Sequence, residues 1–286
     1  MFDNFKIVVQ FNPGRIVSSS AKVDAKSIED RPCFLCVDNL PAEQKGILYN
    51  NEYIILVNPF PIFEEHFTIP TIKHHQPQQI ALSFPNMLNL AKDLGQYFSV
   101  FYNGPKCGAS APDHLHFQAC TNNSMPIEIE LNDIVAENSK LLYEENNLAV
   151  YGISNYLRNV FLIESSHKGK VISQFKTLFK IIQSKTDFPG EPMMNIIALY
   201  NNTWKVLIFP RAKHRPLQYF LEDENRMLIS PAAVDFGGQL ITPREEDFNK
   251  ITKDDIKDIF TQTTISEDLF ERIGEEYSAS AARKKV

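Results

Sequence analysis

Asp113-His114-Leu115-His116-Phe117-Gln118 alternates polar and apolar side chains, and that alternation decides how the chain reads. On a strand, side chains at i, i+2 and i+4 share a face. His114, His116 and Gln118 are therefore expected in one row, with Leu115 and Phe117 buried behind them. A neutral imidazole attacks phosphorus well when its other ring nitrogen is held by an acceptor. His116 is central in the row, so neighbours on both sides can orient it or contact phosphate oxygens; it reads as the nucleophile. The Gln118 amide donates a hydrogen bond but delivers no proton at neutral pH, which favours transfer to an anionic acceptor over transfer to water. Taken alone, the segment is also compatible with an ordinary strand carrying two exposed histidines, or with a metal pair. Gly104, Gly108, Ala109 and Ser110 just before it weigh against those readings, because small residues let backbone amides approach phosphate oxygens.

Working outward, Ile7 to Phe11 reads as a strand stopped by Asn12-Pro13-Gly14. Ser18 to Asp30 reads as a loop. Tyr53 to Val57 and His66 to Ile69 read as strands around a proline-marked turn at Asn58-Pro59-Phe60-Pro61. Ser83 to Gly95 has helical spacing. Tyr97 to Tyr102 and His114 to Cys120 read as strands joined by the loop Asn103 to Asp113. In the second half, Val160 to Glu164 is strand-like and Val171 to Gln183 helical. Asn195 to Tyr200 and Lys205 to Phe209 form a hairpin around Asn201-Asn202, residues that tolerate positive φ. Ile256 to Phe270 reads as a helix and Ser278 to Val286 as a mobile tail. Two sheet-helix-sheet units of similar size predict a duplicated α+β architecture, antiparallel sheets with flanking helices, divided at 1–145 and 146–286.

Apolar residues make up 43% of the 286, enough for a substantial core, and 22% are charged. The formal charge of −6 argues against a general nucleic-acid binder. The first twenty residues show no signal-peptide pattern, and the longest apolar runs, such as Ile54-Ile55-Leu56-Val57, are too short to span a bilayer. Four cysteines in such a chain do not form a secreted disulfide framework. A cytoplasmic, reduced protein is expected, with no membrane and no nucleic acid as partner.

The His-x-His-x-Gln segment resembles the histidine-triad superfamily, specifically the transferase branch that ends in Gln. That branch includes galactose-1-phosphate uridylyltransferase, diadenosine tetraphosphate phosphorylase and the GDP-hexose phosphorylases. Gly108-Ala109-Ser110 is similar to the GAS of the tetraphosphate phosphorylases, and His114-Leu115-His116-Phe117-Gln118-Ala119 to the HLHFQA of the GDP-hexose phosphorylases. Gln10-Phe11-Asn12-Pro13-Gly14-Arg15 resembles their QLN-x-x-R, and Phe236-Gly237-Gly238-Gln239-Leu240 a segment late in the same enzymes. The resemblance implies that His116 becomes nucleotidylated, that Asn58 contacts ribose, and that Asn103 supports the phosphate loop. It also implies two histidine-triad-like units, the second degenerate because His167 and His214 are isolated. Related enzymes are often dimers, so a homodimer is implied.

Cys33 and Cys36 form a C-x-x-C, which alone is a redox pair or two buried thiols. By resemblance to the uridylyltransferases, Cys33, Cys36, His114 and one of His74 or His75, with preference for His75, would complete a tetrahedral structural zinc site. Cys107 and Cys120 read as packing residues. Arg15, after a strand and a rigid turn, and Lys106, in the glycine-bearing loop, are candidate phosphate ligands. Pro210-Arg211-Ala212-Lys213-His214-Arg215-Pro216 is a polar loop, or a clamp in which Lys213 and Arg215 hold a phosphate.

Together these readings predict a two-step transfer. His116 takes the nucleotidyl group from a nucleoside diphosphate compound, and inorganic phosphate collects it. A GDP-hexose is the substrate the resemblance favours, with diadenosine tetraphosphate as the competing dinucleoside polyphosphate and a UDP-hexose third. A water-using hydrolase and a non-catalytic nucleotide-binding protein are the readings from other classes; Gln118 opposes the first.

Overall fold

The computed structural model describes residues 2, 4–74, 76–186 and 188–283. Strand β1 (Val8–Phe11) leads into the short helices α1 (Ile16–Ser19) and α2 (Ala25–Glu29). A meander of β2 (Gly46–Tyr49), β3 (Tyr53–Val57) and β4 (His66–Pro70) follows, then α3 (Ile80–Leu94) and the pair β5 (Phe98–Asn103) and β6 (His116–Thr121). After α4 (Pro126–Asn138) the order recurs. A second meander, β7 (Ser139–Glu145), β8 (Leu148–Ile153) and β9 (Val160–Ser165), precedes α5 (Lys168–Thr186) and the hairpin β10 (Met194–Tyr200) and β11 (Trp204–Pro210). The chain continues through α6 (Ala233–Phe236), β12 (Gln239–Thr242), α7 (Glu245–Lys250), α8 (Lys253–Thr263) and α9 (Glu267–Arg283).

Ten strands form one sheet in the order β2-β3-β4-β6-β5-β10-β11-β9-β8-β7. Read from either edge it is three meander strands and then the two strands that follow the helix, so the two halves are topological copies. They meet where β5 and β10 pair antiparallel, Asn103 opposite Asn195 and Val100 opposite Ala198. The turns repeat as well: Asn50 and Asn51 between β2 and β3, and Asn147 between β7 and β8, adopt positive φ. Asparagine tolerates that conformation better than most residues.

Side-chain alternation builds two cores, one on each face. Helices α3, α5 and α9 cover one face, where Phe84 stacks on Phe175 at 3.7 Å between ring centroids. Leu115, Phe117 and Ala119 point into that core. On the other face α4, α6 and α8 bury Phe101, Ile197, Leu207, Phe209 and Phe260. Strand β1 pairs in parallel with β12, Val8 opposite Gln239, so the start of the chain is fastened to a late segment. None of the helices among the described residues is long and apolar enough to cross a membrane.

Several elements differ from the sequence reading. The expected loop from Ser18 to Asp30 includes the end of α1 and all of α2, whose first turn Asp24 caps by accepting from the Ser27 amide at 3.0 Å. The expected helix from Ile256 to Phe270 is two helices, because Ser266 starts α9 afresh; its hydroxyl accepts from the Leu269 amide at 3.3 Å. Helix α9 runs on to Arg283, so most of the expected tail is helical, and Lys284 to Val286 lie outside the described residues.

Candidate active site

Strand β6 begins at His116, two residues later than expected. Pro112 and Asp113 turn the chain just before it, so His114 occupies a bend and its ring does not share the face of His116 and Gln118. The row is His116 and Gln118, joined by His66 from β4. The Ile62 amide donates to His66 Nδ1 at 3.1 Å, which places the ring proton on Nε2. That proton is donated to Gln118 Oε1 at 2.9 Å. Gln118 is thereby oriented: with its oxygen occupied, the amide nitrogen is the end left for the cavity. Burial pushes His66 down to about 4, so it stays neutral in this role.

His116 Nδ1 lies 2.8 Å from the His114 carbonyl oxygen. A carbonyl only accepts, so Nδ1 carries the proton and Nε2 keeps its lone pair. Burial lowers His116 to about 4 and keeps the ring neutral. His114 and His116 are both buried, at 1% and 5% exposure, which rules out the reading as two exposed histidines.

The backbone of His116 is held by Gln78, which the sequence reading did not single out. Register pairing between β5 and β6 stops at Phe101 opposite Gln118, where the strands part to admit the loop 104–115. Gln78 bridges the gap: its Oε1 accepts from the His116 amide at 2.8 Å, and its Nε2 donates to the carbonyls of Asn103 at 2.8 Å and His116 at 3.1 Å. One side-chain amide thus does the work of a missing strand neighbour.

His116 and Gln118 line a cavity of about 750 Å³, within the size range of small-molecule sites. Leu35, Leu40, Leu56, Val57 and Phe60 give it an apolar wall suited to a nucleoside, and Arg15, Asn58, Gly108 and Ser110 add polar groups. Arg15 donates to the Phe60 carbonyl at 2.9 Å; burial lowers its pKa and the charge of Asp235 opposes that shift. Asn58 spends its amide on the protein, donating to Thr68 Oγ1 at 2.9 Å and accepting from the Phe60 amide at 2.9 Å. Gly108 has a φ of +94°, and a Cβ there would sit 2.5 Å from the Ala232 Cβ. Only glycine fits this approach of the loop to the second half.

Asn103 stands at the base of the loop, and Asn195 of β10 links it to the loop backbone. Asn103 Oδ1 accepts from Asn195 Nδ2 and from the Ala233 amide, both at 2.8 Å, and Asn195 Nδ2 also donates to the Cys107 carbonyl at 2.7 Å. Three expected phosphate ligands lie outside the cavity lining. Lys106 is exposed and sits over the Phe188 ring at 4.9 Å. Lys213 offers its carbonyl to Arg211, and Arg215 donates to the Ser19 and Ala21 carbonyls at 3.2 and 3.0 Å, tying down the segment after α1. Of the three, Arg215 spends its charge on backbone, because its loop lies at the seam between the halves.

On the other side of the bend, His114 Nδ1 faces Cys33 Sγ at 3.3 Å and Cys36 Sγ at 3.5 Å. Its Nε2 donates to the Thr71 carbonyl at 2.7 Å, fixing the tautomer that turns Nδ1 toward the thiols. The three donor atoms lie within 4.8 Å of one another, an S₂N set that could hold a metal ion. Burial lowers His114, but Cys33, the Thr71 carbonyl and Asp113 together outweigh it and the net shift is upward; burial raises Cys33, and His114, the Leu35 backbone and Cys36 together turn that into a net lowering. His75 lies outside the described residues, and His74 is 3.3 Å from Asp38, two residues past Cys36. Cys107 and Cys120 are fully buried, as packing residues are.

A family model described as "GDPGP1-like, C-terminal domain" matches residues 133–284, and one described as a domain of unknown function, DUF4922, matches residues 1–121. Among solved structures, yeast Ap4A phosphorylase matches with 17% identity and a TM-score of 0.52, over 90% of this chain and 82% of that one. The same yeast enzyme in complex with Ap4A matches with 15% identity and a TM-score of 0.51, over 90% and 99%. At these identities the likeness is one of fold. No curated protein matches the chain by sequence.

Proposed function

The chain belongs to the GDPGP1-like family, within the transferase branch of the histidine-triad superfamily, and from that membership we propose that it is a phosphorylase that moves a nucleotidyl group from a GDP-hexose to inorganic phosphate through His116. Nε2 attacks the α-phosphorus; a P–N bond forms, the P–O bond to the β-phosphate breaks, and hexose 1-phosphate departs with that electron pair. In the second step an oxygen of phosphate attacks the same phosphorus, the P–N bond breaks, and its electron pair returns to the ring as GDP leaves. The proton stays on Nδ1, which donates it to the His114 carbonyl throughout, so the adduct's positive charge is held where it forms.

The observation that carries this reading is the 2.8 Å contact from His116 Nδ1 to the His114 carbonyl, in a cavity wall shared with the oriented Gln118. Gln118 would donate to an equatorial oxygen as charge shifts, with Arg15, Gly108 and Ser110 on the same wall as phosphate-side contacts. Asn58 would meet the ribose through whatever its amide leaves accessible. We assign zinc to Cys33, Cys36 and His114, with His75 as fourth ligand. When bound, the ion is structural: it would fix His114, and with it the carbonyl that holds the nucleophile. Metal analysis of purified protein is expected to give one zinc per chain, and a metal-free protein with full stability would refute the assignment.

The same chemistry on a dinucleoside polyphosphate is the second reading, favoured by the fold shared with yeast Ap4A phosphorylase. Incubation with GDP-glucose, UDP-glucose or diadenosine tetraphosphate, followed by intact-mass measurement, separates the possibilities. One added nucleotide mass, absent in His116→Ala and discharged by phosphate, is the expected result, and the substrate that charges the enzyme fixes the base. Steady release of nucleoside monophosphate in plain buffer would make the protein a hydrolase, and binding with no mass change would make it a sensor.

A further inference from the structure

Behind Gln118 a second, smaller space of about 30 Å³ opens between the halves. It shares Arg15, Ser18, Gly108 and Gln118 with the large cavity and adds Asn103, Ser230 and Asp235. Arg15 and Asp235 face it with opposite charges, yet among the described residues they form no ion pair with each other within 4.0 Å. Each is fastened to backbone instead. Arg15 is held by the Phe60 carbonyl at 2.9 Å. Asp235 Oδ2 accepts from the Ala232 amide at 2.7 Å and Oδ1 from the Ile241 amide at 2.9 Å. A carboxylate offers about four acceptor sites, so two bonds leave it able to accept more. The gap between guanidinium and carboxyl is therefore fixed by the fold, and it is lined by donors on one side and an acceptor on the other.

A space of this volume takes one or two oxygen-sized groups. The group that satisfies both walls must accept hydrogen bonds from Arg15 and the Gln118 amide and donate one to Asp235. An unprotonated oxyanion meets only the first demand and sets its charge against the carboxyl. A P–OH oxygen meets both. Burial raises Asp235 to about 6 without removing its acceptor role at neutral pH.

Resting on the phosphorylase reading above, we infer that this pocket reads the proton on the acceptor: Asp235 takes the P–OH of hydrogenphosphate, and so selects tetrahedral oxyanions that carry a proton over sulfate. The acceptor's body lies in the large cavity beside Gln118, and only its hydroxyl enters the pocket. In the transfer step an unprotonated oxygen of hydrogenphosphate attacks, the P–N bond to His116 breaks, and the P–OH proton remains on the product's terminal phosphate, hydrogen-bonded to Asp235. The discrimination is the one expected when a buried acceptor is left facing an oxygen with nothing to donate.

Two measurements test it. The nucleotidyl-enzyme, isolated and mixed with phosphate, arsenate or sulfate at equal ionic strength, is expected to discharge with the first two and at least about 100-fold more slowly with sulfate. Calorimetric titration of the uncharged protein with inorganic phosphate and with sulfate needs no adduct, and is expected to show phosphate at least about tenfold tighter. In Asp235→Asn, which can donate to an anion, both ratios are expected to fall toward one. Equal behaviour of phosphate and sulfate in the wild type overturns the inference even if Asp235→Asn does not fold, and so does an unchanged ratio in a folded Asp235→Asn. Failure to form any adduct overturns the phosphorylase reading instead, and leaves the titration to decide the pocket.

Discussion

The two halves share one strand plan and differ in the hairpin that follows the helix. In the first half the strands after the helix, β5 and β6, part at Phe101 and Gln118 and enclose the loop 104–115. In the second, β10 and β11 stay paired to Tyr200 opposite Trp204, and only residues 201–203 turn between them, with Asn202 at a φ of 57°. A closed hairpin leaves no room for a ligand between its strands; an opened one exposes backbone that must be satisfied some other way. The comparison teaches that the site is a controlled failure of strand pairing, repaired by side chains. Gln78 repairs it from within the half, and Asn195 and Arg211 repair it from the other half. Because β5 and β10 run antiparallel, the second half meets the loop with the start of β10 and the end of β11, far from its own turn.

Removing the group that the open hairpin displays has the largest expected effect. His116→Ala is expected to lower turnover by on the order of 10⁴-fold or more, measured as phosphate-dependent product release, with thermal stability little changed. Gln78→Ala comes next. It leaves the His116 amide and two carbonyls without their partner, and a nucleophile shifted by about 1 Å costs on the order of 100-fold. We predict kcat lower by about 10- to 100-fold with KM within about threefold, because the cavity walls do not depend on this amide. An unchanged kcat would mean that the strand ends hold their positions unaided, and the idea of a side chain standing in for a strand would be lost.

How much of this was legible follows from what each residue answers to. His116, Gln118, Phe117 and Ala119 obey the two-residue period of a strand, a local rule, so their faces could be read from the chain alone. His114 could not be placed the same way, since Pro112 and Asp113 bend the chain, and only coordinates show its ring turned back to Cys33 and Cys36. Gln78 and Asn195 act on backbone or side chains distant in sequence, and nothing in their neighbours announces it. The polar edge strand β7 and the weakly patterned α4 escaped for want of a sharp periodicity. Lys213 and Arg215 misled because a basic loop beside a nucleotide site invites a phosphate reading, whereas Arg215 caps carbonyls of the N-terminal segment. In the same loop Arg211, read only as part of a polar loop or clamp, is fully buried.

Arg211 anchors the seam between the halves. Its five N–H groups meet five acceptors: the carbonyls of Thr263, Pro231, Lys213 and His214, and Asn195 Oδ1. Arg211→Met keeps the bulk but removes the donor from all five, and among the described residues only the Thr263 carbonyl has a second one, the Ala212 amide at 3.0 Å. A loss of about 3–5 kcal/mol is expected in denaturant unfolding. The accompanying readout is the site: through Asn195 the loop from Gly104 should loosen, raising KM for phosphate before global unfolding. Loss of stability with unaltered kinetics would show that the second half supports the sheet but not the loop.

Glu191, in the connection between α5 and β10, gives the subtlest case. It reaches across to the first half, where it accepts from the Ile80 amide at 2.5 Å at the start of α3 and from the Tyr102 hydroxyl at 2.6 Å at the end of β5. Burial raises its carboxyl to about 7. A carboxyl whose folded pKa lies above its unfolded value binds its proton more tightly when folded. Its contribution is fully present below about 4.5, the ordinary value, and is lost as pH rises through about 7. The wild type should therefore lose on the order of 2–3 kcal/mol of stability between pH 5 and 8 through this group. Glu191→Gln keeps an acceptor for the Ile80 amide and cannot ionise, so its stability over that window should be flatter and higher at pH 8. Because Ile80 is two residues from Gln78, any pH effect on kcat that disappears in Glu191→Gln would connect the second half to the nucleophile's strand. Parallel pH profiles of stability in the two proteins would instead show that the carboxyl is free to relax, and that this contact does not couple the halves.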